Sequence, residues 1–193
     1  MLSVKKKSIF KFLVGFVLFI VLVALDQYTK NIATMSLKNQ APFVIIKDVL
    51  EFNYLDGGNT GAAWGILSGQ ISFFIILTVI VCIVLCGVLC KIESEIMKDR
   101  SVSKKFTLLQ FLLLMLISGA VGNLIDRACY GYVVDFIYFK LINFPIFNVA
   151  DCYVTISAFS LIIFSIFFMS DEEFAKAFYF KINKKKEKEK VED

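Results

Sequence analysis

Four aspartates stand beside long apolar runs: Asp26, Asp126, Asp135 and Asp151. An ionisable residue at or inside a membrane span is costly and is a functional hypothesis by default. Asp135 lies in Val133-Val134-Asp135-Phe136, an acid among apolar residues. Burial raises the pKa of such a carboxyl and favours its neutral form. Asp151 closes Asn148-Val149-Ala150-Asp151 at the start of another apolar run. Alone, it reads as a first-turn carboxylate favoured by the helix dipole, with Asn148 as the cap. Together the two acids suggest more. Two carboxylates a few ångströms apart cannot easily both ionise, so they share a proton. One then acts as base on a water while the other, protonated, polarises a carbonyl. That is the chemistry of aspartic proteolysis. Sixteen residues separate the pair, enough for the chain to fold back.

The rest of the composition leaves room for this chemistry and little other. There is no histidine, which excludes Ser-His-Asp and Cys-His catalysis and argues against a zinc enzyme. A carboxylate pair needs no cofactor and no metal. Cys82, Cys86 and Cys90 recur every four residues without a visible fourth ligand. They read as small apolar residues packing a membrane helix. Asp26 and Lys30 are four apart and predict an ion pair on one helix face. Asn123 and Arg127 share that spacing, with Asp126 turned to a different face. Arg127 there either snorkels to lipid headgroups or holds carbonyls of a bound chain.

The elements that carry these residues follow from hydropathy. Of 193 residues, 58% are hydrophobic and 20% charged, and mean hydropathy is +0.74. A soluble domain carries about 45–50% apolar and about 25% charged residues. The excess excludes a soluble enzyme and a disordered chain, and the net charge of +4 is too small to imply nucleic acid. Four stretches match the roughly 20 residues that cross a bilayer, near 10–28, 67–90, 106–126 and 151–170. The fold expected is mainly α, an integral membrane bundle of four helices, with residues 1–170 as one domain. Residues 171–193 read as a charged tail. A cleaved signal peptide at the amino end is disfavoured, because Asp26-Gln27-Tyr28-Thr29-Lys30 stands where a cleavage site would be.

Basic residues set the expected orientation. Residues 1–11 carry four, residues 91–105 five and residues 181–193 six. The remaining connections are poorer. Both termini and the middle loop are therefore expected in the cytoplasm, and the aspartates at the extracytoplasmic boundary. Residues 43–55 and 132–147 are β-rich and predict a small sheet on the membrane surface there. Trp64 reads as an interfacial aromatic.

Five motifs lie in order at the span boundaries. They are Asp26-Gln27-Tyr28-Thr29-Lys30, Asn59-Thr60-Gly61-Ala62-Ala63-Trp64-Gly65, Gly122-Asn123-Leu124-Ile125-Asp126-Arg127, Val133-Val134-Asp135-Phe136 and Phe147-Asn148-Val149-Ala150-Asp151. The set resembles the lipoprotein signal peptidase family, also called signal peptidase II, from about residue 10 to residue 170. The resemblance implies a bacterial inner-membrane aspartic endopeptidase that cuts a prolipoprotein just before its diacylglyceryl-modified cysteine. It implies Asp135 and Asp151 as the catalytic pair. Asn59, Gly61, Asn123, Arg127 and Asn148 fall on positions that shape the substrate site, and Asp26, Lys30 and Asp126 support them. It further implies a four-helix bundle with an extracytoplasmic β-cradle and an outer helix. The partners implied are the lipid-modified substrate and membrane lipid, with no nucleic acid and a monomeric enzyme. Trp64 replaces the family's usual phenylalanine, and Asp56-Gly57-Gly58 before the Asn-Thr-Gly turn departs from its pattern.

Two readings from other classes compete. A proton-coupled transporter would place its acids near the bilayer midplane within an inverted repeat. A membrane scaffold binding a partner helix would tolerate asparagine at each aspartate.

Overall fold

The computed structural model describes residues 2–61 and 66–179. Trp64 and the lysine-rich stretch 181–193 lie outside the described residues. Among the described residues there are five α-helices: α1 (Leu2–Leu37), α2 (Ile71–Lys98), α3 (Ser103–Tyr130), α4 (Val149–Phe168) and α5 (Asp171–Phe178). Three short strands, β1 (Phe43–Ile46), β2 (Leu50–Phe52) and β3 (Ile137–Phe139), form an antiparallel sheet in the order β1-β2-β3. The first four helices are long and apolar enough to cross a membrane.

The first three helices outrun the expected spans. α1 continues past residue 28 to Leu37. Its polar residues Asp26 and Lys30 are satisfied inside the bundle, so nothing forces the helix to end there. α2 runs on to Lys98 because Val88, Ile92 and Ile96, four apart, bury one stripe. α3 stops at Gly131, whose φ of 76° supplies the left-handed cap.

α3 is the central helix and packs on α1, α2 and α4. Gly119 and Gly122 permit the approach. A Cβ at Gly119 would lie 2.5 Å from the Ala150 carbonyl oxygen, and one at Gly122 would lie 2.5 Å from Asp26 Oδ2. Gly122→Ala should therefore cost about 1–3 kcal/mol, the usual range for overpacking. Thermal unfolding in detergent would measure it, and an unchanged midpoint would contradict the tight contact.

The two ends of the bundle differ in chemistry. One holds an apolar cluster around Ile92, Phe106, Leu109 and Leu113. There α5, which opens the stretch read as a charged tail, packs Ala177 into the cluster. A capping box joins Ser170 and Glu173, and Lys91 Nζ donates to the Ala175 and Tyr179 carbonyls. The other end carries the sheet and the buried polar residues. Its connections, among the described residues, contain a 3-10 turn (Lys140–Ile142) and no α-helix, so the outer helix implied by the resemblance is absent from them. On α2, Cys82 is half-buried and Cys86 and Cys90 are exposed; the buried stripe runs along Val88, Ile92 and Ile96.

Candidate active site

Asp135 sits in the connection between α3 and β3. The segment 53–59 pairs with this connection: Asn59 and Val133 exchange backbone hydrogen bonds at 2.9 and 2.8 Å, and Leu55 N–H donates to the Asp135 carbonyl at 3.0 Å. That pairing turns the Asp135 side chain inward, where it is 1% exposed. Its Oδ2 accepts from Asn59 Nδ2 at 2.9 Å and its Oδ1 from Asn148 Nδ2 at 2.7 Å. Burial, then the nearby Asp151 charge, pushes its pKa up to about 7, against the pull of the two amide donors and Lys30.

Asp151 occupies the first turn of α4. Asn148 caps this helix: its Oδ1 accepts from Asp151 N–H at 2.9 Å, and Asp151 Oδ2 accepts from Asn148 N–H at 3.1 Å. The expected cap is thus present, closed into a capping box. It leaves Asp151 Oδ1 to accept from Asn123 Nδ2 at 2.8 Å. The Asn148 amide also donates to Asn123 Oδ1 at 3.0 Å. Asn123 and Asn148 therefore link the carboxylate of a loop to the carboxylate of a helix start.

Beneath this pair lies a buried ionic group. Lys30 Nζ is 2.9 Å from Asp26 Oδ2 and 3.0 Å from Asp126 Oδ2, and it donates to Asn123 Oδ1 at 2.8 Å. The Asp26–Lys30 pair follows from sequence spacing; the Asp126 partner comes from a different helix. Gln27, which sequence reasoning passed over, donates to Asp26, Asp126 and the Gly122 carbonyl. Its position beside Asp26 inside an apolar span was the available signal.

Arg127 does point away from Asp126. Its Nη2 donates to the Gly61 carbonyl at 3.0 Å, and its guanidinium lies over the Phe74 ring at 4.9 Å. Gly61 N–H in turn donates to Asn59 Oδ1 at 2.9 Å. The carbonyl that Arg127 holds is one of its own chain, and Phe74 of α2 had no sequence signal. Arg127 Nε is buried and has no hydrogen-bond partner among the described residues. No group of His, Cys, Asp and Glu side chains among them forms a metal-holding set.

Residues 18–168 match the family model described as signal peptidase (SPase) II. The chain belongs to the signal peptidase II family. A lipoprotein signal peptidase of Clostridium tetani is 39% identical over 147 residues, covering 75% of this chain and 86% of that protein. One from Brevibacillus brevis is 38% identical over 136 residues, covering 70% and 83%. A solved structure described as a bacterial membrane enzyme, determined by the in meso method at 1.9 Å resolution, superposes with a TM-score of 0.63. It is 33% identical and covers 81% of this chain and 94% of its own.

Signal peptidase II enzymes are proteases that remove signal peptides from prolipoproteins, and this membership sets aside the transporter and scaffold readings. The matched region ends with α4, so α5 lies beyond it. Every residue that the five motifs singled out and the structure describes lies at the sheet end of the bundle. Asn59, Asn123, Asp135, Asn148 and Asp151 join directly by side-chain hydrogen bonds. Gly61 and Arg127 attach through Asn59.

Proposed function

We propose that this signal peptidase II is an aspartic endopeptidase whose reacting pair is Asp135 and Asp151. The observation that carries the reading is Asn148. One side chain caps the helix that bears Asp151 and donates to Asp135, so the two acids are set by the same group. They share one proton. The ionised carboxylate takes a proton from a water as its oxygen attacks the scissile carbonyl carbon. The protonated carboxyl donates to the carbonyl oxygen, giving a gem-diol. Collapse breaks the C–N bond: the proton held by the first carboxylate passes to the leaving amine, and a gem-diol hydroxyl returns its proton to the second carboxylate.

Arg127, Asn59, Gly61, Asn123 and Asn148 shape the substrate site. Arg127 Nε, buried with no partner among the described residues, suits a donor to a substrate carbonyl. The substrate is cut before its diacylglyceryl-modified cysteine, with the signal helix against the bundle and its acyl chains among membrane lipid. Both termini face the cytoplasm and the carboxylates face the extracytoplasmic boundary, in keeping with the basic loops. One chain supplies every residue, in keeping with a monomer.

The pH profile tests the mechanism. Asp135, with its pKa at about 7, holds a proton below that value. The shared proton is lost as pH rises through it. Cleavage of a lipid-modified prolipoprotein should therefore fall on an alkaline limb near pH 7, with the limb belonging to the pair. A rate that climbs steadily to pH 9 or so would contradict a carboxyl acid.

A further inference from the structure

Asp26 and Asp126 each accept one backbone N–H from elsewhere in the fold. Asp26 Oδ1 takes Ala150 N–H at 2.8 Å, and Asp126 Oδ2 takes Val134 N–H at 3.0 Å. Ala150 directly precedes Asp151, and Val134 directly precedes Asp135. The same pair of acids is tied together by Lys30 Nζ, at 2.9 and 3.0 Å. We infer that Lys30 is a positioning residue: through Asp26 and Asp126 it holds the backbone immediately before each reacting carboxylate. The inference rests on Asp135 and Asp151 being the reacting pair.

An ammonium has three N–H donors and no acceptor. Lys30 places one on Asp26, one on Asp126 and one on Asn123 Oδ1. The third bond sets the Asn123 amide so that its Nδ2 faces Asp151. All three donors are spent on holding the site, which leaves none for substrate. Gln27 Nε2 spans the same two acids as a second tie. A helix start and a loop thus take their spacing from one buried cation on a third element, α1. Misplacing a reacting group by about 1 Å costs about 10²-fold in rate.

Lys30 also acts through its charge. It draws down the Asp135 pKa against burial and the Asp151 charge. The other charged or titratable groups around the pair include Asp26 on α1, Asp126 and Arg127 on α3, and Cys152 and Tyr153 on α4. Among these Lys30 is the cation that ties the acids together, so its removal has a signed effect on pH dependence that loss of packing would not have.

The full-length protein, purified in detergent, would be assayed on a diacylglyceryl-modified prolipoprotein as Lys30→Gln and Lys30→Arg. Folded Lys30→Gln should lose about 10²-fold in kcat with little change in KM, and its alkaline limb should move to higher pH. Lys30→Arg should keep the limb near its original place. Unchanged kcat, a loss confined to KM, or an unmoved limb in folded Lys30→Gln would overturn the inference. Should Lys30→Gln not fold, the charge-balanced Lys30→Gln/Asp126→Asn variant decides. A folded double variant still about 10²-fold slow supports positioning, and recovery of full kcat overturns it. Asp135→Asn and Asp151→Asn, run alongside, separate the two readings. Activity in either sinks the reacting pair itself. Inactivity in both beside a normal Lys30→Gln sinks only the positioning role.

Discussion

Asp135→Asn and Asp151→Asn should each reduce prolipoprotein processing by about 10²- to 10⁴-fold, the range that one positioned acid or base contributes. Both variants should remain folded and inserted. At Asp135 the carboxamide fills the same volume. The Asn59 and Asn148 amides that face it can reach its oxygen on one side only. At Asp151 the cap requires an acceptor for Asn148 N–H, which an asparagine oxygen still supplies. What neither variant retains is a second titrating oxygen, so no shared proton remains. Processing of a lipidated substrate by purified variants, with thermal unfolding to confirm folding, measures the effect. Normal turnover by either variant would remove it from the mechanism.

Asp126→Ala should lower stability by about 3–5 kcal/mol, the scale for breaking a buried ion pair from one side. Val134 N–H loses its acceptor, and Lys30 Nζ and Gln27 Nε2 each lose one of theirs. Lys30 is 3% exposed, so water does not readily replace the lost carboxylate. Asp126→Asn should be milder, because one carboxamide oxygen still accepts. The difference in unfolding midpoint between the two variants is the measurement. An alanine variant as stable as the wild type would mean that the buried group is solvated after all. Were Asp126→Asn the only aspartate change to stop turnover, the reacting pair would have to be reassigned.

Much of the site was legible before any coordinates. Asp26 and Lys30 are one helical turn apart, and Asn148 precedes Asp151 by three residues. Both contacts are local, and helix geometry alone places them. The segments 43–55 and 132–147 were legible as strands for a similar reason: their β-branched and aromatic residues suit a pleated surface. Gln27 and Phe74 were passed over because their partners are remote. Gln27 reaches Asp126, 99 positions away, and Phe74 meets Arg127 from a separate helix. The expected span ends were too short because a charged residue normally stops a span, and here Lys30 finds its counterions inside.

The sequence by itself determined that this chain has four apolar helices and that its polar motifs stand at their boundaries. Apolar length and residue order are properties of the chain in one dimension. It also determined which carboxylates lacked a bland explanation, since an acid among valines is visible without a fold. Only the tertiary structure decided what each acid holds. Spacing paired Asp26 with Lys30 but gave Asp126 no partner. Gly119 and Gly122 let α3 close against α4 and α1 to within contact of Ala150 and Asp26. That approach brings Ala150 N–H to a carboxylate 124 positions away, and the turn at Gly131 returns Val134 N–H to Asp126, eight positions back. Such bonds form where backbones meet in space, at distances and angles that no spacing in the sequence encodes.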